Sequence, residues 1–127
     1  MSLTNLQRKM TLQFEDIEQE SLAVLDKLSG PDLIIAVDTE ATGLSVASRE
    51  DECIGVSIAT VVDGTPYSHY FPFAHREGDN CSNDVLVKLK QLLEGEHKLV
   101  FCNAQYDILS LETVGINVEH TNFVDVP

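Results

Sequence analysis

Basic residues are scarce in this chain of 127 residues: eight Lys plus Arg stand against 21 Asp plus Glu, a formal charge of −13. That balance argues against a nucleic-acid binder that works through a basic footprint. It leaves room for an enzyme that meets phosphates through bound metal ions, which invert the local charge. It also fits a module attached to a basic partner domain, or a protein of a salty cytoplasm. Cysteine is scarce too. Cys53, Cys81 and Cys102 are odd in number and lack C-x-x-C spacing, which favours buried reduced thiols over a disulfide framework or a zinc site. No apolar stretch nears the roughly 20 residues of a membrane span, so no membrane partner is expected. The N-terminus has no signal-peptide core, and an intracellular, cytoplasmic location is the default expectation. Internal repeats, low-complexity tracts and Pro/Gly-rich linkers are missing, as are a P-loop, a G-x-G-x-x-G loop and a Ser-His-Asp set. His69, His75, His97 and His120 are scattered without ligand spacing and read as surface or satisfied histidines.

What is present is one domain spanning 1–127, with a helical segment over 1–30 and the main body over 31–127. Phe14, Ile17, Ser21, Val24, Leu25 and Leu28 fall at helical spacing, and Gly30-Pro31 stops that helix. Glu15-Asp16 and Glu18-Gln19-Glu20 read as its solvated face. A strand over about 33–38 follows, then a polar loop from Ser45 to Glu52. A second strand alternates Ile54, Val56 and Ile58 with Gly55, Ser57 and Ala59. Asp63-Gly64 signals a hairpin, and a third strand runs from about Tyr67 to Phe73. The pattern then changes. Asn80 to Asn83 offers caps for a helix with Val85, Leu86, Leu89, Leu92 and Leu93 on one stripe, ending at Gly95. Leu99 to Cys102 is a short strand, a helix follows Asn103 and ends near Gly115-Ile116, and Phe123-Val124 starts a last strand. This predicts an α/β fold with a mixed five-stranded sheet, an antiparallel meander plus parallel strands, flanked by helices.

Two acids stand out at the end of the run Leu33 to Val37. The run reads as a dry central strand, and residues i and i+2 of a strand project to one side. Asp38 and Glu40 therefore repel each other there unless a cation compensates them. A hard divalent ion such as Mg²⁺ takes oxygen ligands and needs few from the protein. The alternative is a solvated strand end. A third acid, Asp107, opens the helix after Asn103, where the helix dipole favours an ionised carboxylate. If the strands at 33–38 and 99–102 are neighbours, the three acids form a cup for one or two Mg²⁺ or Mn²⁺ ions.

Asp38-Thr39-Glu40-Ala41-Thr42-Gly43-Leu44 resembles the first motif of the DEDD (DnaQ-like) 3′–5′ exonucleases, and Asn103-Ala104-Gln105-Tyr106-Asp107 resembles the second. Between them, Tyr70-Phe71-Pro72-Phe73-Ala74-His75 is similar to the proofreading domain of family A DNA polymerases, as is the stretch from Val114 to Asp125. The resemblance implies an RNase H-like fold and metal-dependent hydrolysis of a single-stranded DNA 3′ end to nucleoside monophosphates. It makes Asp38, Glu40 and Asp107 catalytic metal ligands at a two-metal site, with Glu40 also meeting the terminal 3′-OH. Thr39, Leu44, Asn103 and Tyr106 become substrate-binding positions. Against these roles stand plainer ones: Asn103 as a helix cap, Tyr106 as a packing residue and Leu44 as core.

The family's fourth carboxylate and its water-orienting residue, in a Tyr-x-x-x-Asp or His-x-x-x-x-Asp helix, have no counterpart after Asp107, and Ala41 replaces a frequent threonine. The expectation is a core lacking the third exonuclease motif, truncated at its C-terminus and weak or inactive alone. One sheet face should then be left bare, favouring a homodimer. The implied partners are a single-stranded DNA 3′ end, with RNA as the variant substrate, and a DNA polymerase domain in cis or in trans. The alternative function is a catalytically incomplete, exonuclease-like module that binds nucleic acid or a polymerase as a scaffold.

Overall fold

A computed structural model describes residues 17–30 and 32–127. Phe14, Glu15-Asp16 and Pro31 lie outside the described residues. Among the described residues, three helices and five strands follow in the order α1 (Ile17–Lys27), β1 (Ile34–Ala41), β2 (Cys53–Val62), β3 (Thr65–Pro72), α2 (Asn83–Leu93), β4 (Lys98–Cys102), α3 (Ala104–Glu112) and β5 (Asn122–Val126). The local signals are physical ones. Asp63 and Gly64 both take positive φ, 49° and 80°, the backbone a two-residue hairpin needs. Ser82 caps α2, accepting from the Val85 N–H. Gly115, at φ 83°, lets the chain turn back so that the Ile116 N–H reaches the Leu111 carbonyl, which closes the end of α3.

The strands form one sheet in the order β3-β2-β1-β4-β5. β1 pairs antiparallel with β2, and β2 with β3, while β1 and β4 and then β4 and β5 run parallel. This is the mixed five-stranded α/β sheet that the sequence leads one to expect, an antiparallel meander extended by parallel strands. The core lies on one face, where Ile35, Val37, Val56, Ile58, Phe71, Leu99 and Phe101 meet Leu25, Leu89, Leu93, Ile108 and Leu111 from the helices.

β1 is central but not dry on both sides. Its burial alternates, so Ile35, Val37 and Thr39 are covered while Ile34, Ala36, Asp38 and Glu40 face outward. The other face of the sheet is open among the described residues: Ile34 is 64% exposed, Val61 59% and Val126 40%. β1 also runs on to Ala41, past the expected end at 38, with Asp38 opposite Ser57 and Glu40 opposite Gly55. Hydrogen bonding to β2 continues the strand through the acids. All three cysteines are free, but Cys102 is exposed because its position on β4 points to the open face; only Cys53 and Cys81 are buried.

The start of α1 differs from expectation in one respect. Glu18 is not merely solvated: it accepts from the Ser82 N–H at 2.9 Å and the Ser82 hydroxyl at 2.6 Å, tying α1 to the start of α2. Those two bonds hold the Glu18 carboxyl below the usual carboxylate range. Behind it, buried Ser21 bonds His69 Nε2 at 2.8 Å and Cys81 Sγ at 3.3 Å, joining α1 to β3 and to the loop before α2. No described helix is long and apolar enough to cross a membrane.

Candidate active site

The site is assembled around the middle of β1. Asp38 and Glu40 project from the same side of that strand onto the open face. Asp38 lines a shallow trough there with Ala36, Ser57, Ala59, Ser68 and Tyr70. Small side chains on β2 and β3 give this trough its depth.

Asp107 arrives from the other face. α3 packs against β1 and buries Asp107 to 2% exposure. Its Oδ1 accepts from the Thr39 N–H at 3.1 Å and from the Thr39 hydroxyl at 2.7 Å. The carboxylate thus sits against the peptide that joins Asp38 to Thr39. Thr39, expected at the substrate, is instead buried with its hydroxyl committed to Asp107, because odd positions of β1 face the core. Burial pushes the Asp107 carboxyl above the usual carboxylate range; the charges of Asp38 and Asp125 add to that, and the Thr39 bonds oppose it. Among the described residues no lysine or arginine pairs with these acids; the one ion pair there is Lys90–Glu94.

The three acids do not converge: no group of three His, Cys, Asp or Glu among the described residues is placed to hold an ion as it stands. The donor chemistry nevertheless fits a divalent cation. All three donors are carboxylates, none of them is ion-paired among the described residues, and hard ions take such oxygens. Asp107 Oδ2 has no hydrogen-bond partner among the described residues, so that oxygen is open to a new ligand.

The loop after β1 is built to present Leu44. Asp51 takes the Thr42 hydroxyl and the Ser45 N–H, each at 2.8 Å, and the Glu52 N–H returns to Thr42 Oγ1 at 3.1 Å. Gly43 leaves room for that carboxylate, since a Cβ there would lie 2.6 Å from Asp51 Oδ2. Leu44 is 87% exposed, so its reading as core is corrected: the stapled loop holds it out in solvent. Tyr106 is half-buried, and its hydroxyl donates to the Gly43 carbonyl at 3.0 Å, which fixes the loop to α3.

Asn103 is not a side-chain cap. It adopts left-handed backbone, φ 77° and ψ 64°, with no capping bond from its amide. Asp125 of β5 does that work, its Oδ1 accepting from the Asn103 and Ala104 N–H groups at 3.0 Å each. The Asn103 side chain is left exposed. Sequence reasoning passed over Asp125 because its partners lie 22 and 21 residues away and only the parallel pairing of β4 with β5 brings them together. Tyr70 and His75 were likewise missed as neighbours of the acids: the Tyr70 hydroxyl donates to Glu40 Oε2 at 3.2 Å and also bonds His75 Nε2.

A search of individual curated proteins gives no match. A family model does match, that of the 3′–5′ exonuclease of family A polymerases, over residues 12–126. With both acid-bearing elements and all five strands inside that span, the chain belongs to the 3′–5′ exonuclease family.

Proposed function

We propose that this chain is a metal-dependent 3′–5′ exonuclease domain of the proofreading type. It hydrolyses the 3′-terminal phosphodiester of single-stranded DNA, releases nucleoside monophosphates and works with a DNA polymerase domain, in cis or in trans, inside the cell. Residues 1–127 act as a single unit in this reading. One observation supports it: Asp38 and Glu40 share the open face of β1 while the Asp107 carboxylate rests on the peptide between Asp38 and Thr39, and none of the three is ion-paired among the described residues.

Asp38, Glu40 and Asp107 would hold Mg²⁺ or Mn²⁺. Bound there, the ions supply charge neutralisation at the scissile phosphate and activation of the attacking water. The chain's own residues do the rest. Thr39 anchors one oxygen of Asp107 and leaves the other for the ion. Exposed Leu44 offers an apolar surface to the terminal base, and Tyr106 holds the loop that carries it. Asn103, with its amide uncommitted, faces the strand. A chain of formal charge −13 meets a polyanion at the one place where cations collect.

The test is release of mononucleotides from 3′-labelled single-stranded DNA in Mn²⁺ or Mg²⁺, against chelator and against Asp38→Ala. Activity that survives either control sinks the reading. Comparing matched DNA and RNA strands sets the substrate class. A second reading, a non-catalytic exonuclease-like module that binds nucleic acid or a polymerase, is favoured by the lack of convergence among the three acids. Nucleic-acid binding with neither Mn²⁺ uptake nor cleavage would select it.

A further inference from the structure

Glu40 is held from two strands away. It lies opposite Gly55 on β2, whereas Tyr70 on β3 lies opposite Ser57. To meet Glu40 the Tyr70 ring runs diagonally over β2, through the space left by the missing side chain of Gly55. A Cβ at Gly55 would fall 1.8 Å from Tyr70 Oη and 2.2 Å from its Cζ. At the far end the phenol donates to Glu40 Oε2 at 3.2 Å. A phenol has one proton to donate. With that proton on Glu40, the bond to His75 must come from His75 Nε2–H to the phenol oxygen, and the chain runs from His75 to Tyr70 to Glu40.

His75 is itself clamped. Its N–H donates to Asn80 Oδ1 at 2.9 Å, and its carbonyl accepts from Asn80 Nδ2 at 3.0 Å. Its ring meets that of Tyr70 edge to face, with centroids 5.6 Å apart. A phenol is protonated at neutral pH, so Tyr70 is a donor there. Glu40 needs such a hold. It is an exposed, long side chain on a bare sheet face, and an unrestrained glutamate loses rotamer freedom each time it takes up a ligand.

We propose that Tyr70 and His75, seated over the notch at Gly55, are positioning residues that fix the Glu40 carboxylate by one oxygen and present the other to the site. That the presented oxygen meets a cation rests on the metal-site reading above; that the carboxylate is fixed does not.

The experiment measures side-chain relaxation of Glu40 by NMR in metal-free protein and Mn²⁺ uptake by calorimetry, for wild type, Tyr70→Phe and Gly55→Ala. Tyr70→Phe keeps the ring in the notch and removes only the hydroxyl, so it stays informative if Gly55→Ala does not fold. The expected result is an ordered Glu40 in wild type, rotamer averaging in Tyr70→Phe, and Mn²⁺ affinity lower by about fivefold, the scale of one net hydrogen bond. Combining Tyr70→Phe with Glu40→Gln should add no further loss. A Glu40 equally mobile in wild type and Tyr70→Phe, or a Tyr70→Phe loss that persists in full on the Glu40→Gln background, overturns the proposal. A wild type that orders Glu40 through Tyr70 yet takes up no Mn²⁺ upholds the positioning pair and sinks the metal-site reading alone.

Discussion

Replacing Asp107 by asparagine should make the metal-free protein more stable and the metal-loaded comparison worse. Asp107 is 2% exposed, and both hydrogen bonds it receives come from Thr39. Burial raises its pKa, followed by the charges of Asp38 and Asp125, and the Thr39 bonds only partly offset them. A carboxyl whose folded pKa is raised contributes stability that is present below the unfolded pKa and lost as pH rises through the folded pKa. At neutral pH, without metal, the wild type therefore carries an uncompensated charge that an amide of the same shape does not. The asparagine keeps an oxygen for the Thr39 donors and drops the repulsion.

The other side of the prediction is the ligand response. A cation at 100 times its Kd stabilises the folded state by about 2.7 kcal/mol. Unfolding entropy near the midpoint is about 2.1 cal/mol/K per residue, or roughly 0.27 kcal/mol/K for 127 residues. Saturating Mn²⁺ should thus raise the wild-type Tm by about 10 °C and the Asp107→Asn Tm by almost nothing. Calorimetric melts from pH 4 to 8, with Mn²⁺ and with chelator, read both effects. The metal-free Tm advantage of the variant should widen as pH rises and level off once wild-type Asp107 is ionised. A metal-free variant no more stable than wild type at pH 8 refutes the electrostatic argument. A full Mn²⁺ response in Asp107→Asn refutes its role as a ligand.

Thr39→Val removes the 2.7 Å hydroxyl bond to Asp107 at nearly constant volume; a loss of about 2 kcal/mol is expected at neutral pH, shrinking in acid where Asp107 is protonated, and urea titrations at two pH values check it. Gly43→Ala puts a Cβ 2.6 Å from Asp51 Oδ2, so the loop must shift; cleavage of single-stranded ends should fall several-fold and Leu44→Ala should match it, with Tm changed little in the latter. Asn103→Gly suits the left-handed backbone at φ 77°, so Tm should hold or rise, and any accompanying loss of DNA affinity by fluorescence anisotropy assigns the amide to substrate. Burial lowers the His69 pKa below the usual 6.5, so its share of stability is present above 6.5 and lost as pH falls through the folded value; His69→Gln should flatten the fall of Tm on the acid side of pH 6.5. Ile34→Lys with Val61→Lys charges the open face, and sedimentation should show less self-association than wild type.

How much of this was legible in the sequence follows from how local each signal is. All five strands and the three helices among the described residues show in the sequence, the helices and β2 through apolar periodicity and β1 and β4 as short apolar runs. The hairpin shows in Asp63-Gly64, whose backbone need is local. A bare sheet face was expected, but which residues of β1 line it did not show: Leu33 to Val37 is an unbroken apolar run, and Ile34 and Ala36 look like core until the helices are seen to lie on one side. A run of that kind reports hydrophobicity without reporting which face is covered.

The same reasoning explains why the acids were found while their supports were not. Asp38 and Glu40 are two residues apart, and Asp107 lies one helical turn past the end of a strand, so their spacing carries the message. Thr39 is a substrate position only by the family resemblance, while strand alternation alone turns it inward, away from Asp38 and Glu40, and leaves its hydroxyl to Asp107. Asp125, Tyr70 and Gly55 act across strand pairings that span 15 to 30 residues, and no local pattern encodes those. Gly55 is the sharpest case. In sequence it is a weak point of a strand; in the sheet it is the gap through which a tyrosine reaches the glutamate of the neighbouring strand. The ligands of such a site are legible as spacing, and the groups that hold them in place become legible only once the sheet order is known.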